Sequence, residues 1–454
     1  MGTLLLRGAT VVVTMDEARR ELPGGWLLVR DNLIEVVGTR ADALPTADIT
    51  VDVSGCVVLP GLVSAHHHLV QTLFRAVPDL QDAEFFAWLG QLYRLVGGLT
   101  DEALDLSARV GLTELLLSGC TTVADHAYLR TNDMRLDTEI AAARELGIRL
   151  HLVRGSISRG QSGGGLAPDA LVEHDESFLA DTERLIRTYH DPAPGSLLRI
   201  ALGPPSVFFA SPTAVRESIE LARRYGLHGH THFAETPGEA SYCRERYGKE
   251  PLDYLAELGW LGPDIWLAHA VHLSSTDVLR LAQSGTGVAY CPTSNLRLGN
   301  GIAPIVELLR AGAPVGIGVD GSASNDTSHL LLEARMALLA QRGRLGAAAL
   351  SARQALELAT LGGARLLGRD DIGRLAPGLM ADVVAIDTRG VGFAGAVHDP
   401  VAALVLCAPG PIRLSLVNGR VVVQEGRVLG LDSGELVARH NAVAHTLVGA
   451  VSPG

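Results

Sequence analysis

Lysine is almost missing from this chain. Of 38 basic residues only Lys249 is a lysine, and the rest are arginine. Cysteine is sparse too. Cys56, Cys120, Cys243, Cys291 and Cys407 are scattered, odd in number and never spaced as CxxC. That usage fits a reducing cytosol rather than a disulfide framework, so a cytoplasmic location is expected. No apolar run reaches the roughly 18 uninterrupted residues of a membrane-spanning helix. Residues 1–7 have neither the charged region nor the cleavage site of a signal peptide. The net charge is −12 with no basic cluster, which argues against a nucleic-acid or anionic-membrane surface. No GxGxxG or P-loop follows any strand candidate, which lowers the case for an open dinucleotide-binding sheet.

What is present is a large apolar fraction, 47% of 454 residues, enough for a sizeable core and more than one structural unit. Both ends read as short strands. Leu4-Leu5-Leu6, Thr10-Val11-Val12-Val13, Trp26-Leu27-Leu28-Val29 and Leu33 to Val37 stand at the start. Residues 381–386, 413–417 and 420–423 stand near the end, the last two around the hairpin signal Asn418-Gly419. Between them, short apolar runs alternate with amphipathic stretches such as 101–117, 214–225 and 276–283. Eight strand candidates lie near 57–66, 121–126, 149–154, 198–202, 227–233, 265–270, 287–291 and 315–320. The expectation is an α/β chain: a (β/α)8 TIM-type barrel over 59–373, with a small β-sandwich made from both ends, 1–58 plus 374–454. Gly163-Gly164-Gly165 lies in a Ser/Gly-rich loop with no helix-opening lysine, and reads as a lid rather than a phosphate cradle.

Barrel active sites sit at the C-terminal ends of the strands. The first strand ends Ser64-Ala65-His66-His67-His68. Side chains alternate along a strand, so His66 and His68 share a face and can share a divalent metal, while His67 points away. The fifth strand ends His228-Gly229-His230-Thr231-His232-Phe233-Ala234-Glu235. His232 is nearest the tip and is the third ligand. His230 and His228 sit deeper, as ligands or as core histidines. Glu235 can reach a metal-activated water without being a ligand. The sixth strand carries His269 at its tip, with His272 beyond it in a loop. The eighth ends Val319-Asp320-Gly321. An aspartate at the end of so apolar a strand needs a cation or donors, which makes Asp320 the fourth protein ligand. Gly321 leaves room for substrate beside it. Imidazoles and a carboxylate suit one Zn²⁺ or Fe²⁺, with His269, Glu235 and Asp320 as the acid/base groups.

In these motifs, PGLVSAHHH, HTHFAET, LAHAVHL and GVDGSASND, the chain resembles the amidohydrolase superfamily, in its mononuclear deaminase branch. The resemblance covers essentially the whole length, including LAPGLMADVVAID. It implies that His66, His68, His232 and Asp320 bind one metal, zinc first, that Glu235 moves protons to the leaving group, and that His269 orients or deprotonates the water. Dinuclear branches use a carboxylated lysine from the fourth strand. That strand here, Leu197-Leu198-Arg199-Ile200-Ala201-Leu202, has none.

The finer resemblance is to 8-oxoguanine deaminases, with triazine hydrolases and guanine or isoxanthopterin deaminases as near relatives. It is carried by the run from His66 to Pro78, by Cys291-Pro292-Thr293-Ser294-Asn295-Leu296-Arg297-Leu298, by Ala303-Pro304 and by the segment from Gly362 to Gly368. It implies a small heterocyclic substrate, hydrolytic loss of ammonia and a homo-oligomer. Gln71 can offer donor and acceptor to a lactam edge. His126, Asn295 and Arg297 are further candidate contacts. Trp88 with Phe85-Phe86 would stack on a flat ring.

Overall fold

The computed structural model describes residues 2–131 and 134–450. Parallel strands at its centre curl into a barrel. They are β1 (Leu62–His68), β2 (Cys120–Ala127), β3 (Arg149–Arg154), β4 (Leu198–Leu202), β5 (Gly229–Phe233), β6 (Ile265–His269) and β7 (Gly287–Tyr290). The eighth is in two pieces, β8 (Val315–Ile317) and β9 (Asp320–Gly321). Each strand pairs with the next, β8 pairs with β7, and β9 pairs with β1, so the interrupted strand closes the ring. The continuous strand expected over 315–320 breaks at Gly318-Val319, where it lies against β1. A Cβ on Gly318 would lie 2.5 Å from that of His66, and Asp320 turns left-handed at φ 63°.

The strands are buried along nearly their whole length because helices cover the outside. Local signals set those helices. Thr100 caps Asp101–Leu117 by accepting from the Ala103 N–H, Ser274 and Asp277 form a capping box, and prolines open Pro212–Arg224 and Pro237–Tyr247.

Two more sheets lie beside the barrel. One has four strands, all from the first 52 residues. The other has seven and mixes the ends: Val11–Val13, Glu21–Pro23 and Cys56–Pro60 join Val383–Asp387, Ile412–Val417, Arg420–Gln424 and Arg427–Val428. The halves meet in an antiparallel pair with Pro60 opposite Val383. Leu4, Leu27 and Val29 of the first sheet share a core with Val58, Val383 and Leu414 of the second. The Asn418-Gly419 hairpin is present, with φ of 51° and 76°, as a type I′ turn requires. Arg149 at the foot of β3 is fully buried and reaches this sheet. Its Nε lies 2.6 Å from Asp382 Oδ2 and its Nη2 lies 3.1 Å from Asn418 Oδ1.

The last segment departs from the β-rich expectation. Ser433–Gly449 is a helix that packs on Asp101–Leu117, burying Leu436, His440 and Leu447 at helical spacing. Among the described residues no helix is long and apolar enough to cross a membrane, and the five cysteines are free thiols.

Candidate metal centre and cavity

The side chains singled out in the sequence meet at the C-terminal mouth of the barrel. Alternation along β1 turns His66 and His68 inward and His67 outward, where its Nε2 lies 2.9 Å from Ser328 Oγ. Asp320 Oδ1 stands 3.2 Å from His66 Nε2 and 3.4 Å from His68 Nε2. His68 Nε2 and His232 Nε2 are 3.1 Å apart. Nitrogens of His66, His232 and His269 and an oxygen of Asp320 all lie within 4.8 Å of one another.

The outer nitrogens decide the tautomers. His68 Nδ1 lies 2.9 Å from the His126 carbonyl, and His232 Nδ1 lies 2.5 Å from the Pro205 carbonyl. A carbonyl only accepts, so both rings carry their proton on Nδ1 and turn a bare Nε2 inward. His66 Nε2 is buried with no hydrogen-bond partner. Burial, with the neighbouring imidazoles, keeps His66 and His232 well below the ordinary histidine range and therefore neutral. Burial pushes the Asp320 carboxyl up, but the surrounding His66, His269 and His68 outweigh it and hold it well below the carboxylate range. Bare nitrogens and a carboxylate this close repel one another, and the donor set fits a divalent cation of the zinc or iron type.

Beside this cluster lies a proton-transfer pair. Glu235 Oε1 accepts from Asn300 Nδ2 at 3.0 Å, and its Oε2 faces His269 Nε2 at 3.8 Å. Burial pushes the Glu235 carboxyl up to about 7. Burial also opposes the charged form of His269, but Glu235, Asp320 and Asn295 outweigh it and raise the ring above its ordinary value. A carboxyl poised near neutrality suits general acid work.

The backbone that aims these groups is strained. Ala234, His269, Ala270 and Asp320 all have left-handed φ, at 50°, 74°, 51° and 63°. Left-handed backbone disfavours any residue but glycine, and its clustering at three strand tips marks a functional mouth. The turn is held where Ala270 N–H and Val271 N–H donate to the carbonyls of Phe233 and Ala234.

Above the cluster is a cavity of about 490 Å³ including its mouth. Phe85, Trp88 and Leu89 form one wall and Phe208 and Phe209 another, with Gln71, Tyr128 and Ser206 between. Gln71 Oε1 accepts from the Ala323 N–H at 3.2 Å, and the Trp88 indole N–H donates to the Ala323 carbonyl at 3.0 Å. The room at Gly321 goes to Gln71 rather than to substrate, because a Cβ there would lie 1.9 Å from Gln71 Oε1.

His126 and Asn295 are off the cavity wall. His126 Nε2 is engaged by the Gly203 carbonyl at 2.9 Å, and Asn295 Oδ1 sits behind His269, 2.9 Å from its Nδ1. Arg297 pairs with Asp326 at 2.7 Å, and His272 is exposed. Phe86 packs edge-on against Phe208. The glycine loop does not line the cavity. Its turn is fastened by Arg246 to the Gly163 carbonyl, and the aromatic walls supply the cover.

Several groups escaped sequence reasoning. Asn300 has no motif around it. Phe208-Phe209 follows the fourth strand and could have been read as a wall. Glu239, four residues past Glu235 at a helix start, lines the cavity, and burial raises it to about 7.

Residues 57–422 match the model of the amidohydrolase family. An 8-oxoguanine deaminase from Pseudomonas aeruginosa is 47% identical over 427 residues, 93% of this chain and 95% of that one. An isoxanthopterin deaminase from an unknown prokaryotic organism is 36% identical over 98% of this chain and 97% of its own. The structure of an atrazine chlorohydrolase from Arthrobacter aurescens TC1 complexed with zinc superposes with a TM-score of 0.91 at 36% identity. It covers 97% of this chain and 100% of the other.

Proposed function

The chain belongs to the amidohydrolase family, and we propose that within it the protein deaminates an oxidised, purine-like heterocycle, 8-oxoguanine first, with water, to urate and ammonia. It is a hydrolase of carbon–nitrogen bonds. The observation that carries the finer reading is the placement of Glu235 and His269 between four converging ligand-type side chains and an aromatic-walled slot, taken with 47% identity to a deaminase.

His66, His68, His232 and Asp320 would hold one divalent cation, zinc being the ion bound in a related structure. When bound, such a cation supplies Lewis acidity that brings the pKa of water toward neutrality. The chain's own groups do the rest. Asp320 accepts a proton from the attacking water, and His269, held toward its charged form against its burial by the neighbouring carboxylates, orients that water. Asn295 holds the His269 ring so that Nε2 faces the cavity. Glu235, whose carboxyl burial raises to about 7, gives its proton to the ring nitrogen next to the attacked carbon. The proton taken from the water passes to the departing amine, and Glu235 recovers one from the new hydroxyl as the carbon–nitrogen bond breaks and ammonia leaves. Phe85, Trp88, Phe208 and Phe209 suit a flat ring and exclude water. The Oε1 of Gln71 is engaged, so its Nε2 is the group left to donate to a ring carbonyl. No arginine or lysine lines the cavity among the described residues, which favours a neutral base over a phosphorylated one.

We also propose the division into a catalytic barrel, 59–373, and a composite β-sandwich, 1–58 plus 374–454. The pairing of Val57 and Val58 with Ile386 and Ala385 supports it. The test of function is ammonia release, metal content and urate formation with 8-oxoguanine, guanine, isoxanthopterin and an aminotriazine. Ammonia from none of them by metal-loaded protein would sink the deaminase reading. The likeness to the atrazine chlorohydrolase favours an s-triazine amino- or chlorohydrolase as the second reading, and chloride release from a chlorotriazine would select it.

A further inference from the structure

His230 lies two residues deeper than His232 on β5 and is fully buried. Its Nδ1 stands 2.9 Å from the Trp266 carbonyl oxygen, and its Nε2 stands 2.8 Å from Nδ1 of His66. The ring lies flat on the Trp266 indole, with centroids 4.5 Å apart and planes 18° apart. The same indole donates its N–H to the carbonyl of Ala65, the residue before His66. His66, His230 and Trp266 therefore form one closed packing unit beneath the metal centre.

With a cation on His66 Nε2, the direction of each hydrogen bond in this unit follows from the Trp266 end. The Trp266 carbonyl can only accept, so His230 carries its proton on Nδ1. In a neutral ring Nε2 is then bare and accepts, so His66 must donate from Nδ1. That leaves His66 Nε2 bare, and it is the buried nitrogen with no hydrogen-bond partner, 3.2 Å from Asp320 Oδ1. The opposite arrangement would set two lone pairs against each other at the Trp266 carbonyl, or would need a cationic His230. It would satisfy Asp320 Oδ1, which also only accepts, so it is the cation on His66 Nε2 that selects the first arrangement. The rings around His230 are His66, His126, His232 and Trp266, with no carboxylate among them to stabilise such a cation.

We infer that His230 is a positioning residue for the metal centre, locking His66 in the tautomer that presents Nε2 as a ligand and fixing its ring plane. This rests on the reading that His66, His68, His232 and Asp320 hold one cation. The unit is not a proton relay, because it ends on a carbonyl that can neither give nor keep a proton. Nor is it a second metal site. Nitrogens of His66, His126 and His230 lie within 4.8 Å of one another, but His66 Nδ1 cannot serve a hydrogen bond and a cation together.

The test compares unmutated protein with His230→Leu and His230→Gln. Each is stripped of metal and titrated with Zn²⁺ against a chromophoric chelator. The unmutated protein should take up one equivalent. His230→Leu should bind about 10- to 100-fold more weakly, as loss of a ligand's hydrogen-bond partner typically costs. His230→Gln, whose amide oxygen can accept from His66, should recover most of that affinity. Histidine-selective ¹⁵N spectra of the zinc-loaded unmutated protein should show His66 protonated at Nδ1, which decides the point even if His230→Leu does not fold. Undiminished zinc affinity in His230→Leu, two equivalents per chain, or His66 protonated at Nε2 would each overturn the inference alone. No zinc uptake by the unmutated protein would overturn the metal reading along with it.

Discussion

The Nε2 atoms of His68 and His232 face each other at 3.1 Å, each without a proton, because each ring spends its Nδ1–H on a backbone carbonyl. Two lone pairs so placed repel each other, and a cation between them turns that repulsion into ligation. Removing metal should therefore destabilise the chain, and restoring zinc at 100 to 1,000 times its dissociation constant should return about 3–4 kcal/mol. Thermal melts of stripped and reconstituted protein read this directly. A melting temperature indifferent to zinc would contradict it.

Glu235→Gln keeps the size of the side chain and the contact with Asn300 but removes the transferable proton. The expected outcome is a fall of roughly 10²- to 10⁴-fold in kcat, with zinc content unchanged. Steady-state ammonia release and metal analysis on the same preparation check it, and a loss smaller than tenfold would remove Glu235 from the chemistry.

Gly321→Ala would drive a methyl into the Gln71 amide, where only 1.9 Å is available. Gln71 should leave the cavity wall and KM should rise about tenfold, the effect of about 1.4 kcal/mol of lost binding. Adding Gln71→Ala should cost little more, because the contact is already gone. Strictly additive losses in the double variant would show that Gly321 acts by another route.

Asp125 and Glu139 are both buried and hydrogen-bond to one another, and Asp125 Oδ1 also accepts from the Leu69 N–H that starts the turn carrying Gln71. Burial lifts Asp125 to about 7 and Glu139 well above the carboxylate range. The folded chain therefore holds protons that the unfolded chain releases near pH 4. The stability contributed by the protonated pair is complete below that pH and is lost as pH rises toward the folded values. Glu139→Gln retains a donor but not the proton, so its stability should fall less steeply from pH 5 to 7, by up to about 1.4 kcal/mol per pH unit. Denaturant unfolding at pH 5, 6 and 7 measures the slopes, and parallel slopes would exclude a shared proton.

Arg149 and Asp382 form a fully buried pair that joins the barrel to the mixed sheet. Arg149→Met leaves Asp382 without its partner and should cost about 3–5 kcal/mol, with kcat unchanged in protein that folds. Denaturant melts and kinetics together test this, and a loss under 1 kcal/mol would mean water reaches Asp382.

The parts of the site set by a period of two were legible in the sequence. His66, His68 and His232 lie where alternation along a strand places them, and the eight strand candidates of the barrel were visible as apolar runs. What depends on backbone leaving the strand was not. The left-handed turns at Ala234, His269 and Asp320 aim side chains by a rotation that no periodicity encodes. Asn300 reaches Glu235 across 65 residues of sequence. The closing helix was hidden because its buried residues are few and its other positions, rich in valine and alanine, resemble the strands before it.

The pairing of Pro60 with Val383 carries a consequence for synthesis. The opening strands of the mixed sheet leave the ribosome long before their partners exist. At ribosomal speeds the delay is on the order of tens of seconds. Through that interval the edge of Cys56–Pro60 is unpaired and apolar, and the barrel must assemble with its base uncovered. The cell would need to shield this nascent chain, and a stop codon anywhere before the last strands should yield aggregate rather than a shorter enzyme.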